Sequence, residues 1–335
     1  MKSFEHWDIY YLYEYAYSFM LHGDGDIKLI YFEHLGERFC YAVMQKDIAD
    51  SEKFAGIIEK KKYYDWETPY GYGGPLGDKI ISTESQRIFA YEIKQYCIEN
   101  GVVSQFVRFH PLLNNQNMLS NVIESRYLRD TIYMDVDMDE KQIFANLDSK
   151  NRNMVRKAQK NDVIIEQREI EEIDDFIDMY NETMIKNQAA KYYIFEKEYF
   201  DSLNEMKDNV CLFYAMRRNV PISGAIIYYN SEFAHYHLSG SKTEFRKYSP
   251  SNLLLYQVAC WAHKKGIKKF HLGGGMAPDD SLFGFKKQFN RNGRSPFAVG
   301  RTVFDDAAYQ KLLVCRERMD PGFDVNNNFM IQYRR

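Results

Sequence analysis

The chain is predicted to adopt an α/β (α+β) fold, two tandem units with mixed central sheets and flanking helices, and three observations carry that prediction. At 335 residues it is long enough for two domains, each with its own core. Strand-like and helix-like periods alternate along its length. No solenoid repeat, low-complexity tract or Pro/Ser-rich linker interrupts them, so one unit follows the other without a spacer.

Composition narrows the function classes. Hydrophobic residues at 45% and charged residues at 27% are ordinary for a globular protein. The net charge of -3 gives no global attraction to nucleic acid or to an anionic membrane, so any such binding must be local, and DNA is not an expected partner. No run of about 18 apolar residues appears, and the opening MKSFEHWDIYYLYEY lacks the basic-then-apolar plan of a signal peptide. These features predict a cytoplasmic protein without stable membrane insertion, working at most at the inner face of the membrane. Cys40, Cys97, Cys211, Cys260 and Cys315 are scattered and show no CxxC spacing, which predicts reduced thiols and no metal site. Aromatic content reaches 16%, with 27 tyrosines. Clefts that grip sugars or peptides would use such an excess, and an AT-biased proteome would also produce it.

The first part opens with aromatic residues at helical spacing (Trp7, Tyr10, Tyr11, Tyr17, with Glu14). KLIYFEHLGERFCYAVM then reads as a hairpin turning at Leu35 and Gly36. YYDWETPYGYGGPLG is dense in turn formers and predicts a tight, exposed loop, in which Tyr70 and Tyr72 offer flat faces to sugar or peptide. It could equally be a rigid hinge. A helix over 83–100 buries Ile88, Phe89, Tyr91, Ile93 and Cys97, and QFVRFHPL forms a strand ending at Pro111.

The second part has a more legible order. Strand TIYMDVDM leads to helices DEKQIFANL and SKNRNMVRKAQKN, then strand DVIIEQRE. Helices over 173–187 and 196–206 follow, then strands CLFYAMRR, ISGAIIYYN and EFAHYHLSGS, helix SNLLLYQVACWAHKKG and strand IKKFHLGG. One strand, two helices, antiparallel strands, a helix and a last strand is the order of the GNAT acyltransferase fold. Order alone speaks to fold, not to substrate.

SKNRNMVRKAQKNDV, LSGS, SNLLLYQVACWA and FHLGGGMAPDDSLFGFKKQF together resemble the Fem peptidyltransferases (FemA, FemB and FemX type). The resemblance covers most of Thr131 to Phe289 and extends faintly to RFHP and YGYGGP. It implies two tandem GNAT-like domains, here 1–130 plus about 305–335 and 131–304, the last helix packing back on the first. It also implies transfer of an amino acid from aminoacyl-tRNA to an amine of a peptidoglycan or other cell-envelope precursor. Charged tRNA and that precursor would be the partners, with no tightly bound cofactor. The long helical arm of the best-known members is missing.

Several residues could carry such chemistry. Phe285 and Lys286 match the Phe-Lys pair that the family places beside the acyl acceptor and the tRNA end; the lysine could stabilise an oxyanion or a phosphate, the phenylalanine could stack on a base. Gly273, Gly274 and Gly275 would let substrate lie against the strand end, with Asp280 or Ser281 capping the next helix. Arg152 and Arg156 share a helix face at i,i+4 and would suit a diphosphate or an RNA backbone, unless the face is merely solvated. Lys191, Tyr192 and Tyr193 are expected to contact the acceptor. His110 stands where the pattern usually has an acid, and imidazole could accept the ammonium proton. In the loop RKYSPSN, Arg246, Ser249 and Ser251 stand where acyl-CoA enzymes place Arg or Gln and two glycines, a poorer pyrophosphate cradle, though Pro250 and Ser251 could simply start a helix. An acyl-CoA-dependent N-acyltransferase acting on an amino sugar or peptide, and a non-catalytic envelope-binding module, stay open as alternatives.

Overall fold

A computed structural model describes residues 3–335, which divide into two compact units, 3–128 with 296–335 and 129–295. The return to the first unit falls at Pro296, ahead of the boundary near 305 expected from the sequence, because the strand that follows pairs with the first unit's sheet.

The chain begins with a 3-10 turn at Ile9–Tyr11 and then helix α1 (Tyr13–Leu21). The aromatic stretch is therefore not one helix. Leu12 between them is extended (φ -75°, ψ 146°), and the Asp8 carboxylate caps the turn through Ile9 N. Strands β1 (Asp26–His34) and β2 (Glu37–Asp47) form the expected hairpin, with Leu35 and Gly36 both at positive φ as a type I′ turn requires. Strand β3 (Tyr64–Glu67), helix α2 (Thr83–Glu99) and strand β4 (Val102–Arg108) follow. Within α2, Phe89 and Cys97 are buried, while Tyr91 lies on the opposite face and is 69% exposed, contrary to the predicted stripe. Strand β4 begins and ends earlier than QFVRFHPL suggests.

Strand β5 (Glu124–Asp135) carries the chain into the second unit. There α3 (Glu140–Asn146), α4 (Ser149–Lys160), β6 (Ile164–Arg168), α5 (Asp174–Lys186), α6 (Lys197–Ser202), β7 (Val210–Arg217), β8 (Val220–Tyr229) and β9 (Phe233–Ser241) follow in the predicted order. Helix α7 (Pro250–Lys264), β10 (Lys269–Gly273) and α8 (Ser281–Lys287) complete it, before β11 (Arg294–Val303) and α9 (Asp306–Met319). The longest helix among the described residues is α2, with 17 residues. Among the described residues no helix is long and apolar enough to cross a membrane.

In the first unit the strand order is β1-β2-β3-β4-β11, antiparallel except for β3 and β4. Its core gathers Phe39, Tyr41, Trp66, Phe89 and Phe109. A second cluster seats α9 and the chain end: Tyr309, Leu312 and Tyr333 pack together, and Arg334 bonds Asp65 at 2.9 Å and Glu67 at 2.6 Å. In the second unit the order is β5-β10-β9-β8-β7-β6, antiparallel except for β9 and β10. Its core runs from Ile132 and Val136 through Leu254 and Val258 to Phe270 and Phe289.

Candidate active site

The parallel pair in the second unit creates the opening. Strands β9 and β10 stay in register only from Lys269↔Phe233 to His271↔His235. Beyond that point β9 continues to Ser241 without β10 beside it, and the ladder to β8 slips between Ile226 and Ile227, with His237 as the extra residue. A bulge of this kind bends the strand locally. Two parallel strands that part from each other leave backbone groups facing a gap, which is where a ligand can be gripped.

Lys286 sits at that gap. It is 8% exposed, its Nζ donates to Gly274 O at 2.7 Å, and the Tyr236 ring of β9 lies 5.9 Å away. Burial disfavours the ammonium and brings the side chain from the ordinary lysine range to about 8, with Asp280 opposing the fall. It remains mainly protonated at neutral pH. Lys286 is thus an interior side chain and not part of a solvated helix face, while Lys287 beside it is half-buried. Phe285 is half-buried too, packed edge-on against core Phe289 at 5.3 Å.

The loop between β10 and α8 is held from both sides. Asp280 caps α8 through Phe283 N at 2.8 Å and takes Met276 N and Ala277 N at 2.6 and 3.0 Å. These backbone bonds hold its carboxyl below the usual range. Arg129 donates to Gly275 O at 2.7 Å and to Met276 O at 2.5 Å. The three glycines fit this arrangement closely. Gly273 is at φ 75°, a Cβ on Gly274 would come to 3.1 Å from Asp130 O, and one on Gly275 would collide with the Asp280 carboxylate.

Histidines line the buried side of the strands. His235 Nδ1 and His271 Nδ1 are 3.4 Å apart, and His237 Nε2 meets Tyr199 Oη at 2.6 Å. Burial, with His235 adding to it, lowers His237 to about 3, so its ring is neutral.

A family model described as an acetyltransferase (GNAT) domain matches residues 146–287. A crystal structure of FemX superposes with a TM-score of 0.71 at 14% identity, covering 92% of this chain and 96% of that one. The chain shares the fold of FemX, and its second unit carries the GNAT domain. The C-terminal domain of a putative lysylphosphatidylglycerol synthetase from Agrobacterium fabrum aligns at 0.53 and 12% identity, and L-PGS from Bacillus licheniformis at 0.53 and 11%. Each covers 89% of this chain and 90% of its own. No curated protein matches by sequence.

Within this GNAT fold the remaining predicted residues fall in several places. Arg152 is not a free phosphate clamp: its Nη1 bonds Ala145 O at 3.0 Å and also Leu147 O, closing the end of α3. Arg156 is exposed, stacked 5.1 Å over the Phe144 ring. Lys191 and Tyr192 are exposed in a 3-10 turn, and the Tyr193 carbonyl accepts from Tyr180 Oη at 2.7 Å. At the start of α7 the cap is Ser249, at φ 57° and ψ 44°, with Pro250 at N1; Ser251 lies inside the helix, its Oγ 3.2 Å from that of Ser223.

In the first unit His110 is fully buried and held on both ring nitrogens. Nε2 lies 2.7 Å from Asp8 Oδ2, and Nδ1 accepts from Leu113 N at 3.1 Å. An imidazole so engaged orders the chain around it; it has no lone pair left for an incoming ammonium. YGYGGP is likewise no exposed loop. Gly73 through Leu76 are buried, Gly73 O accepts from Tyr11 Oη and Asn115 Nδ2, and Leu76 pairs with Cys40. Tyr72 is half-buried against Tyr10, His110 and Phe297, and Tyr70 presents its carbonyl to Tyr15 Oη.

Sequence reasoning missed Asp8, Arg129 and Tyr236. Only Asp280 carried a local signal, as a cap residue ahead of an apolar run.

Proposed function

We propose that the chain is an acyltransferase that moves an aminoacyl group from aminoacyl-tRNA to an amine of a cell-envelope precursor, with the reaction at the parting of β9 and β10. One observation carries this reading: in a GNAT fold, a nearly buried lysine with pKa about 8 faces the gap between the two parallel strands. The Fem resemblance, with the fold shared with FemX, supports the choice of donor and acceptor class. The neighbour named for lysylphosphatidylglycerol supports aminoacyl transfer to an envelope component more generally.

In this reading the neutral acceptor amine attacks the aminoacyl carbonyl carbon, the carbonyl oxygen gathers negative charge, and the ester bond to the ribose breaks as the proton released by the nitrogen passes to the departing ribose oxygen, leaving an amide and a free ribose hydroxyl. Lys286 has three N-H donors and spends one on Gly274 O. The others are available to the oxyanion or to a phosphate of the tRNA end. Because the cation sits in a dry site, each such bond is stronger than in water. The Arg129 and Asp280 clamps fix the Gly274–Ala277 backbone against which Lys286 is aimed. The residues that would meet the acceptor are Lys191, Tyr192 and Tyr193, which project from an exposed turn.

Acyl-CoA as donor is the second reading, favoured by the acetyltransferase family model. Calorimetry with acetyl-CoA beside a transfer assay using bulk charged tRNA and a murein precursor separates the two. Transfer from tRNA with no acetyl-CoA binding is expected. Micromolar acetyl-CoA binding without tRNA-dependent transfer would replace the proposal by the CoA reading.

A further inference from the structure

We infer that the surface around Tyr248, where the end of α4, the β7–β8 turn and the turn before α7 meet, binds the phosphate backbone of an RNA. This deepens the donor reading above and rests on it for the choice of partner.

The inference starts from a charge imbalance. The chain carries a net charge of -3, yet six cations gather here: Lys157 and Lys160 on α4, Arg217 and Arg218 at the β7–β8 turn, Arg246 and Lys247 before α7. Packing brings them together. Arg217 Nε donates to Asn161 O at the end of α4 at 3.0 Å, and its guanidinium lies 4.2 Å over the Tyr248 ring. Lys247 Nζ lies 5.2 Å from the same ring, and Ser249 Oγ meets Met154 Sδ of α4 at 3.3 Å. All but half-buried Arg217 are exposed.

None of the six forms an ion pair among the described residues, whereas Arg168, Lys197, Lys264 and Arg291 in the same unit each do. The acids nearest in sequence, Asp162 and Glu244, make no ion pair with them either. Two like charges within reach of one ring repel unless an anion comes between or beside them. A face that keeps several such charges unneutralised is built for a polyanion.

The arrangement fits RNA better than a lipid surface. The cations come from three separate elements, two of them within reach of one tyrosine ring, where a membrane-binding face would pair its basic residues with an apolar helix stripe. Half of the six are arginines, whose planar forks match phosphate oxygens in pairs. Lys160 and Lys157 in the last turn of α4 also complement that helix's dipole, a role that an exposed lysine fulfils without a partner.

The test is fluorescence anisotropy with labelled bulk tRNA at several salt concentrations, on the full chain and on the triple variant Lys157→Glu, Arg218→Glu, Lys247→Glu. Each phosphate contact contributes about 0.7–0.9 to the slope of log affinity against log salt. Losing three should weaken binding on the order of 100-fold at 0.1 M salt and flatten the slope by about 2. Matched melting curves check that the variant folds, and Lys60→Glu with Lys61→Glu, in the first unit, should bind as the parent does. Parent-like binding by the triple variant, or no salt-dependent tRNA binding by the parent, overturns the inference. So does binding only to phosphatidylglycerol vesicles. Lys286→Met separates the two proposals: it should lose transfer while giving up at most one phosphate contact's share of the tRNA salt slope, about 0.7–0.9, and transfer that persists in it counts against the active-site reading alone.

Discussion

Replacing Lys286 by methionine removes a buried ammonium while keeping most of the side-chain volume, and its effect on stability can be worked from the structure. An unfolded lysine titrates near 10.4, and burial brings the folded side chain to about 8. The folded pKa is the lower one, so below about pH 8 both states hold the proton and the native state bears the whole desolvation cost. Between pH 8 and about 10.4 the unfolded state binds more protons, and wild-type stability rises with pH. At about 1.4 kcal/mol per pH unit the gap amounts to roughly 3 kcal/mol. Against this, methionine leaves Gly274 O without its donor, a loss of about 1–3 kcal/mol. At pH 7 the variant should therefore be as stable as the parent, or up to about 2 kcal/mol more stable. By pH 10 it should have lost about 2–3 kcal/mol relative to the parent. Urea unfolding of both proteins at the two pH values measures the difference directly. A difference that stays constant with pH would show that Lys286 is not held neutral-leaning by burial, and the electrostatic argument for its role would fail.

Three further expectations follow from the same geometry. If transfer needs the Lys286 cation, kcat should decline as pH rises through about 8, and a rate that keeps climbing to pH 9.5 would contradict that requirement. Asp280→Asn weakens the anchor on Met276 and Ala277 and removes a charge that holds the Lys286 proton, so the declining limb should move to lower pH; an unmoved limb in a folded variant would detach Asp280 from the site. His110→Ala strips one donor from the buried Asp8 carboxylate and should destabilise the chain by about 3–5 kcal/mol in urea, whereas a variant with normal stability and lost turnover would restore His110 as a base.

How far the sequence reached depended on how local each signal was. The order of strands and helices in the second unit was legible because each element repeats its own period and ends at its own cap or turn, as with the hairpin at Leu35 and Gly36 or the cap at Asp280. Lys286 was legible through a motif. Its neighbours were not: Arg129 lies 146 residues from Gly275, and Asp8 lies 102 from His110, so neither pair leaves a periodic trace. YGYGGP was read as exposed because glycine and proline mark turns, but the burial comes from Tyr11 and Asn115 bonding its backbone. Arg152 was misread for a similar reason. Spacing within α4 shows which side chains share a face, yet the carbonyls that Arg152 caps belong to α3.

The most direct test of the central claim follows a radiolabelled aminoacyl group from charged tRNA to a murein or lipid acceptor, in single turnover at pH 7, with parent and Lys286→Met side by side. The parent should move the label onto the acceptor amine, and the variant should do so about 100 to 1,000 times more slowly, the usual loss when a positioned oxyanion donor is removed. Equal rates in the two proteins, or label that stays on the tRNA with the parent while acetyl-CoA is consumed, would contradict the account.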